Sequence, residues 1–564
     1  MNNNSVPRIA SDAIDQQRRQ FLTATLAAGV AVAAGPAAAA SRQSTSKSDT
    51  AAAGRENNHY DYVIVGAGSA GAVLTRRLVD AGFTVLLLEA GPKDDLPAIH
   101  NPPDAMSLSY VPAINWQFNT QEQKTAGDQK IYWPRGKTLG GSSAINGMMY
   151  VRGLPADYDG WAYMGADGWS WNDVLPYFKK AENCLIDGLS DAHGNSGLLT
   201  VSRPQMTELG EAFCEAAQQF GLRYVEDYND GNDSTGVSRP QYTITADGKR
   251  ASSWVCYAQA VADAPNLKIE IGAQVTKLLM DKTRVRGVSF VQGGEQREAF
   301  ADREVLLAAG AEMSPAILLH SGIGPASDLE KLGIAVVQDL AGVGENLHDH
   351  LVCPFVWESP RAVPIGHMSS IEGNIFHKSR AEMLTPDTQS LLFTMPFPIP
   401  GFPEAKQGFT VTPGLDRPLS RGRLWLASAD PLAAPLFDPR VFSEQLDLEV
   451  MTDKALLLRE VMQQPALAPW RGQEVAPGKT AITRSAVRDY VNRFTGSYHH
   501  QVGTARIGHD SMSVVAPNLK VHGIEGLRVV DASVMPVIPT GNTNAPTIMI
   551  GEKAADMIIA DTKG

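Results

Sequence analysis

Four of the 12 histidines of this sequence lie in two close pairs. His499 and His500 are adjacent, and one residue separates His348 from His350. An imidazole can accept a proton from a hydroxyl group near neutrality, and it can also bind a metal ion. The H-x-H pair has no third ligand at a useful spacing, so we predict no metal site. The adjacent pair is a candidate for proton transfer, although a bare histidine pair is more often an ordinary buried or surface feature.

A glycine turn near the N-terminus is the element best suited to hold a cofactor. Residues 66–71 read G-A-G-S-A-G and directly follow the β-branched apolar run at residues 62–65. In this pattern the first glycine permits a tight turn, the second lets the backbone approach a pyrophosphate, and the third lets a helix pack on the strand. We predict a buried parallel strand before the turn and a helix at residues 72–81 after it, with the helix N-terminus facing the phosphates.

An acidic residue follows the turn at the distance a dinucleotide site requires. Glu89 ends a second predicted strand at residues 84–88, and it lies 89 − 71 = 18 residues after Gly71. The carboxylate that binds a ribose hydroxyl is expected about 20 residues after the last glycine, and it disfavours a 2′-phosphate. Strand, helix, strand and acid therefore predict a dinucleotide site, but they do not distinguish FAD from NAD.

The composition is that of a globular protein with room for a large cofactor. The chain has 564 residues, 43% of them hydrophobic and 20% charged, which predicts two or three joined domains. Its net charge of −12 without a basic block makes nucleic acids and anionic membranes poor partners. We therefore expect a small-molecule substrate. Four cysteines lie far apart without a C-x-x-C, which favours buried free thiols over a zinc or iron–sulfur site.

Residues 1–40 are predicted to be an export signal of the twin-arginine type. Two arginines at 18–19 precede an alanine-rich run that ends in three alanines at 38–40. A membrane span is the competing interpretation, but alanine contributes little transfer free energy and a Gly-Pro pair interrupts the run. We expect cleavage near Ser41, a disordered linker at residues 41–58, a periplasmic or otherwise exported protein, and no stable membrane span after processing.

Two longer motifs resemble the signatures of one enzyme family. Residues 135–153 read RGKTLGGSSAINGMMYVRG, and residues 310–324 read GAEMSPAILLHSGIG. In this order they resemble the two signatures of the glucose-methanol-choline (GMC) oxidoreductases, which are FAD-dependent alcohol oxidases and dehydrogenases. The similarity covers roughly residues 60–559, almost the whole chain after the signal.

The resemblance implies an α/β fold, α+β overall, with two discontinuous domains. A Rossmann-like FAD-binding domain would comprise residues 59–155, 225–345 and 510–564. A substrate-binding domain built on an antiparallel sheet would comprise residues 156–224 and 346–509. We therefore expect a nucleotide sheet whose last strand and helix return from the C-terminus.

The resemblance also implies which residues bind FAD. They are residues of the glycine turn and of the two signatures, the acid after the second strand, a valine whose backbone holds the adenine, and residues of the returning strand and helix. This set is Gly66, Gly68, Ser69, Ala70, Gly71, Glu89, Ala90, Trp116, Arg135, Thr138, Gly140, Gly141, Asn146, Gly147, Met149, Val275, Ala309, Asp531, Ala532 and Thr547. In the choline-oxidase branch a histidine at the position of Ile145 bonds covalently to the flavin. Isoleucine cannot, so we predict non-covalent FAD.

The catalytic pair is implied in the same way. Residues 498–508, YHHQVGTARIG, resemble the family's H-x-x-G-T stretch, and counting back three from Gly503 selects His500 as the catalytic base. The family's second active-site residue, a His or an Asn, lies at a closely similar spacing to 544 − 500 = 44 residues, which selects Asn544 and the His/Asn subgroup. Asn542 is the alternative if the register slips by a turn.

These residue types suit alcohol oxidation. The carbon of a primary alcohol releases hydride readily only as the hydroxyl proton leaves, and a neutral imidazole can accept that proton. Asparagine can donate a hydrogen bond to the developing alkoxide, and the hydride passes to the flavin N5. We predict oxidation of primary alcohols, aromatic or furanic ones included, to aldehydes, with oxygen or a respiratory carrier as electron acceptor. An FAD-containing lyase and a fatty-acid photodecarboxylase of the same family are the alternatives.

Overall fold

The glycine turn connects a buried strand to a helix in the computed structural model, which describes residues 58–366 and 369–562. Strand β1, His59–Val65, is almost inaccessible to solvent from Tyr62 onwards, as a strand with both faces covered must be. Helix α1, Ser69–Asp80, begins three residues earlier than predicted. Gly71 therefore already lies inside the helix, where its lack of a side chain lets the helix approach the strand.

The strands are distributed along the whole described chain. In chain order they are β1 (His59–Val65), β2 (Val85–Leu88), β3 (Phe118–Asn119), β4 (Tyr132–Trp133), β5 (Glu182–Cys184), β6 (Leu199–Val201), β7 (Gly236–Ser238), β8 (Leu267–Glu270), β9 (Ala273–Asp281), β10 (Arg284–Gln292), β11 (Glu295–Leu307), β12 (Ile323–Gly324), β13 (Gln338–Asp339), β14 (Leu351–Val352), β15 (Phe355–Glu358), β16 (Ile371–His377), β17 (Thr388–Phe393), β18 (Gly408–Leu415), β19 (Arg423–Trp425), β20 (Leu436–Asp438), β21 (Glu474–Ala476), β22 (Gly496–Ser497) and β23 (Leu527–Val529).

The helices are distributed along the whole described chain. They are α1 (Ser69–Asp80), α2 (Pro97–His100), α3 (Ala105–Leu108), α4 (Pro155–Tyr163), α5 (Trp171–Ala181), α6 (Glu208–Gln219), α7 (Gly310–His320), α8 (Ala326–Lys331), α9 (Gln445–Met462), α10 (Arg484–Phe494) and α11 (Asn544–Asp561). Within residues 58–366 and 369–562, none of them is long and apolar enough to cross a membrane. All four cysteines have free thiols, and Cys214 and Cys353 are buried.

The first sheet has the topology of a dinucleotide-binding sheet. Its order is β8-β2-β1-β11-β10-β9, and β23 pairs with β11. The pairs β1/β2, β2/β8 and β11/β23 are parallel, whereas β9, β10 and β11 form antiparallel hairpins. The chain moves outward from β1 to β2 and β8, and it returns on the other side of β1 as β11. Ligands bind at such a switch point, outside the carboxyl ends of the strands, and the glycine turn lies there.

The second sheet is antiparallel throughout. Its order is β21-β15-β18-β17-β16-β7, and β14 joins β18 to β22. The pairing of β14 with β22 sets Leu351 opposite Ser497, although 146 residues separate them. This short contact brings the two histidine pairs of the sequence to one place.

The predicted fold class is confirmed by these two sheets. The domain boundaries stay a prediction, and β7 illustrates why a boundary is hard to place: it lies within residues 225–345 but pairs with β16 of the second sheet. The predicted signal peptide at residues 1–40 and almost all of the linker at 41–58 lie outside the described residues.

Gly71→Ala is expected to disrupt the glycine turn. A Cβ at Gly71 would lie 1.9 Å from the carbonyl oxygen of Gly66, and backbone must move to relieve that overlap. We expect a loss of at least about 2 kcal/mol in the free energy of unfolding, together with loss of bound flavin. Thermal unfolding and the flavin absorbance of the purified variant measure both.

The matched control is Gly160→Ala. Gly160 lies in α4 with open space where a Cβ would stand, so alanine there should be neutral or stabilise the helix by about 0.5–1 kcal/mol. Equal behaviour of the two variants would contradict the packing role of Gly71.

Candidate active site

The pairing of β14 with β22 places His350 against His500. The backbone N–H of Tyr498 donates to the carbonyl oxygen of His350 at 3.0 Å and extends the ladder by one bond. The two Nδ1 atoms of His350 and His500 lie 3.0 Å apart, and their rings are nearly perpendicular at 88°. One Nδ1 must therefore carry a hydrogen and donate a hydrogen bond to the other.

A buried carboxylate and an arginine fix the segment that carries His500. The backbone N–H of His500 donates to Asp349 Oδ1 at 2.8 Å, and the Gln501 side chain donates to Asp349 Oδ2 at 2.8 Å. Arg135 donates to the carbonyl oxygen of His499 at 2.6 Å, and its Nε lies 3.4 Å from Glu312 Oε1. Arg135 comes from the first signature and Glu312 from the second, so both signatures support the histidine segment.

Asn542, and not Asn544, is the amide beside His500. Asn542 Nδ2 lies 3.1 Å from His500 Nε2. Asn544 is the first residue of α11, and its Oδ1 accepts a hydrogen bond from Ser69 Oγ at 2.7 Å. Because the helix starts at Asn544, this side chain points to the glycine turn, while Asn542 remains in the preceding loop. The structure thus corrects the predicted partner to the alternative two residues earlier.

The loop that carries Asn542 is held through its backbone by two buried carboxylates. The N–H of Thr540 donates to Asp157 Oδ2 at 3.0 Å, and the N–H of Gly541 donates to Asp416 Oδ2 at 3.1 Å. Asp157 also caps α4 by accepting from the N–H of Leu154 and forms an ion pair with Arg417. Loop backbone that leaves water needs such acceptors, and here they define where the amide of Asn542 lies.

The surroundings of His500 keep its ring neutral. Removal from bulk water lowers the pKa of His500 well below its usual range, and the neighbouring His350, His499 and Arg135 lower it further. Burial also lowers the pKa of His350 to about 3. Burial raises the pKa of Asp349 to about 7, against the opposing hydrogen bonds from Ser497 and His500. A neutral imidazole whose Nε2 lies beside an amide N–H can accept a proton from a hydroxyl group while the amide binds the oxygen.

The glycine turn meets the requirements of a dinucleotide phosphate site. Gly68 is the N-cap of α1, no side chain caps its backbone N–H groups, and the first turn contains no acid. A Cβ at Gly141 would lie 2.7 Å from Gly68 Cα, so the turn and the first signature approach each other through bare backbone. The N–H of Gly140 donates to the carbonyl oxygen of Ala67 at 2.9 Å. Free N–H groups at a helix N-terminus bind phosphate, so these residues fit the pyrophosphate of FAD.

Two acids predicted for the cofactor lie at strand ends and bind backbone. Glu89 accepts from the N–H of Ala67 at 3.0 Å and from the N–H of Gly91 at 2.9 Å, and burial raises its pKa to about 7. Asp531 Oδ2 accepts from the N–H of Gly310 at 2.9 Å, where β11 passes into α7. Each oxygen of Glu89 has a second lone pair, so Glu89 can still accept a hydroxyl of the cofactor. Both oxygens of Asp531 already accept two hydrogen bonds, from Gly310 and Ser314 and from the backbone and side chain of Ser533, so Asp531 holds protein groups in place.

The remaining predicted cofactor residues divide into two groups. Ser69, Ala70, Ala90, Val275, Ala309 and Ala532 lie in or beside the glycine turn and the strands of the first sheet, whereas Gly147 and Met149 lie within the first signature. The side chains of the others already have protein partners: Trp116 stacks on Phe118, Thr138 donates to the carbonyl oxygen of Pro92, Asn146 Oδ1 accepts from Arg250, and Thr547 donates to the carbonyl oxygen of Thr543.

His348 has a structural role in this arrangement. Its Nδ1 donates to the carbonyl oxygen of Asn346 at 2.6 Å, and its Nε2 accepts from the N–H of Ile538 at 3.0 Å. Both ring nitrogens are thus used to join two loops. Sequence reasoning missed the role of its neighbour His350, because the contact between His350 and His500 arises from the pairing of β14 with β22.

A second cluster of potential metal ligands occurs among the described residues. The ligand atoms of Glu182, Cys184 and His193 lie within 4.8 Å of one another. Burial would lower the pKa of His193, but hydrogen bonds to Asp227, Cys184 and Glu182 raise it to about 11. His193 also contacts Asp227 Oδ2 at 2.9 Å, and Arg152 forms a further ion pair with Glu182. The cluster is a buried ion-pair network.

Comparisons with known proteins agree on one family. Residues 60–352 and 418–551 match the two family models described as GMC oxidoreductase. The chain is 38% identical to an oxygen-dependent choline dehydrogenase of Photobacterium profundum, over 90% of this chain and 94% of that protein. It is similar to the crystal structure of pyridoxine 4-oxidase from Mesorbium loti, with 31% identity, a TM-score of 0.83, and coverage of 88% and 98% of the two chains. A fungal aryl-alcohol oxidase matches with 25% identity, a TM-score of 0.78, and coverage of 90% and 100%.

Replacing each of the two asparagines by alanine separates their roles. Asn542→Ala removes the amide beside His500 and should slow flavin reduction by alcohol about 100-fold with FAD still bound. Asn544→Ala removes the contact with Ser69 and should weaken FAD binding more than it slows reduction. Rapid-reaction kinetics and FAD titration of the two variants measure the difference. A larger kinetic loss in Asn544→Ala would restore the original assignment.

The low pKa of His500 determines how flavin reduction responds to pH. The ring accepts a proton only when neutral, and a lowered pKa moves its protonation to more acidic solutions. The rate of anaerobic flavin reduction should therefore stay level from about pH 8 to below about pH 6.5. Because burial raises the pKa of the neighbouring Asp349 to about 7, Asp349→Asn is the control, and a rate that falls by half near pH 7 in this variant as well would contradict the neutral ring of His500.

Proposed function

Because the chain belongs to the GMC oxidoreductases, we propose that it uses FAD to oxidise primary alcohols to aldehydes, with His500 as the base and Asn542 as its partner. The observation that carries this proposal is the 3.1 Å distance between His500 Nε2 and Asn542 Nδ2. It sets a proton acceptor and a hydrogen-bond donor at the same point, where one hydroxyl group can use both.

Each residue has one task in the reaction. The substrate hydroxyl donates its proton to His500 Nε2 while its oxygen accepts a hydrogen bond from Asn542 Nδ2. The hydrogen bond from Asn542 becomes stronger as the substrate oxygen gains negative charge. Asn542 therefore stabilises the alkoxide more than the alcohol, and this difference accelerates the reaction. Asp349 holds the backbone of His500, and His350 contacts the ring nitrogen that faces away from the substrate.

FAD fits the first sheet, and the protein's contribution is to hold it there. The N–H groups at the start of α1 would bind the pyrophosphate, and Glu89 would accept a ribose hydroxyl. FAD, when bound, supplies the acceptor for the hydride that leaves the carbinol carbon. Ile145 lies in a small apolar cluster with Ile99, Leu108 and Ile114, and it provides no nucleophile for a flavin bond. We therefore propose non-covalent FAD.

Aromatic and furanic alcohols are the proposed substrates because flat rings surround the reacting pair. The Tyr498 ring lies nearly parallel to the His500 ring at 5.8 Å. A Cβ at Gly541, next to Asn542, would lie 3.2 Å from Cζ of Phe376. An aromatic substrate would favour an apolar and aromatic environment of this kind. Support also comes from relatives named for pyridoxine and aryl alcohols, whereas the choline dehydrogenases make choline the compound to compare.

The decisive experiment is anaerobic flavin reduction in the dark. Benzyl alcohol, 5-hydroxymethylfurfural, pyridoxine and choline are each added to the purified enzyme, and the oxidised flavin band is followed. We expect the aromatic or furanic alcohols to bleach it fastest. Admission of air then tests whether oxygen is the acceptor or a respiratory carrier is needed. A flavin band that no alcohol changes would favour the lyase or photodecarboxylase alternatives, which find no support among the proteins compared.

His500→Ala should slow this reduction by about 10²–10⁴ without loss of FAD, since it removes the proton acceptor. His509→Ala is the matched control, because His509 is exposed and bonds only to Asp167 on the surface. Reduction of both variants at the rate of the unmodified enzyme would reject His500 as the base.

Acid precipitation tests the mode of FAD attachment. Non-covalent FAD should appear quantitatively in the supernatant, since unfolding removes every contact that holds it. Yellow colour that remains with the precipitated polypeptide would contradict the inference from Ile145.

A further inference from the structure

Three side-chain amides form a chain that ends at the catalytic pair. Asn374 on β16 and Gln389 on β17 are fully buried, and Gln389 approaches the loop that carries Asn542. Gln389 Nε2 donates to Asn374 Oδ1 at 3.1 Å and to Asn542 Oδ1 at 3.4 Å. Asn542 Nδ2 then lies 3.1 Å from His500 Nε2.

The amino group of Gln389 determines the direction of this chain. An amide nitrogen can only donate, so both neighbouring amides must present their oxygens to it. Asn542 consequently points its own amino group to His500. Gln389 Oε1 is buried and has no hydrogen-bond partner among the described residues. This unfavourable burial of an oxygen accompanies the orientation in which both N–H groups of Gln389 point to the two asparagines.

The direction of Asn542 selects the tautomer of His500. An amino group facing Nε2 requires Nε2 to be an acceptor, so the ring proton lies on Nδ1, which faces His350 Nδ1 at 3.0 Å. If the amide were reversed, its oxygen would favour a proton on Nε2. His500 could then no longer accept the substrate proton at that atom.

We propose that Gln389 is a positioning residue that fixes the amide orientation of Asn542 and, through it, the reactive tautomer of His500. The inference rests on the proposed function, since it assigns a task to His500 Nε2 as proton acceptor. Gln389 contacts neither substrate nor cofactor in this scheme, and no motif in the sequence indicates it.

Gln389→Glu reverses the chain while keeping its shape. A carboxylate offers only acceptors, so both asparagines turn their amino groups to it and Asn542 turns its oxygen to His500. At pH 8 we expect the limiting rate of flavin reduction to fall at least about 100-fold, with apparent KM and FAD content little changed. Acidification should restore the rate, because a neutral carboxyl group can again donate to Asn542. A purely structural role would not produce recovery on acidification.

Two further variants complete the series. Asn374→Asp also adds a carboxylate to the chain, but it still accepts from Gln389, so we expect a smaller loss and no recovery at low pH. Gln389→Met keeps the length and frees Asn542 to adopt either orientation, and it covers the case in which Gln389→Glu does not fold. Equal rates in Gln389→Glu, Gln389→Met and the unmodified enzyme would overturn the proposal.

A second readout does not require an active enzyme. Nitrogen NMR of protein labelled at histidine, assigned with His500→Ala, reports which ring nitrogen of His500 carries the proton. We expect the proton on Nδ1 in the unmodified enzyme and on Nε2 in Gln389→Glu at pH 8. An unchanged tautomer overturns the role of Gln389 even if alcohols reduce the flavin, whereas a changed tautomer in an enzyme that no alcohol reduces supports it and rejects the proposed function instead.

Discussion

Buried carboxylates that bind loop backbone are the interaction on which the site depends. Glu89 accepts from the glycine turn, Asp531 from the start of α7, Asp349 from His500, and Asp157 and Asp416 from the loop before Asn542. Loops that leave water must find acceptors for their N–H groups, and ordinary secondary structure does not supply them here. A carboxylate can satisfy several donors at once, so each loop is fixed in one conformation.

Burying these carboxylates is electrostatically unfavourable, and the protein compensates for it in different ways. Arg417 pairs with Asp157, and Arg135 lies close to Glu312 beside the histidine segment. Asp416 has no such contact: burial raises its pKa to about 8, and its Oδ1 has no hydrogen-bond partner among the described residues. Groups of this kind take up protons near neutrality and relieve their own burial. The neutral histidines fit the same environment, since their low pKa values also arise from exclusion of water.

The sequence predicted the parts of the site that local motifs carry. The glycine turn, Glu89 and the nucleotide sheet could be predicted because turn geometry and strand burial leave a short-range pattern. The choice between Asn542 and Asn544 could not be predicted, because it depends on where α11 begins. Asn544 is the first residue of the helix and its side chain faces the glycine turn, whereas Asn542 lies in the preceding loop. Gln389 and His350 could not be predicted for another reason: their roles arise from contacts between distant parts of the chain, Gln389 with Asn542 and β14 with β22.

The hydrogen bond between Ser69 and Asn544 also bears on how the protein is made. Its two residues are 475 positions apart, and Arg77 and Glu552 pair across the same helices with the same separation. Contacts of such long range form late in folding, because the intervening chain must first be ordered. The contact between the glycine turn and α11 therefore forms only after the C-terminal helix has been synthesised and docked.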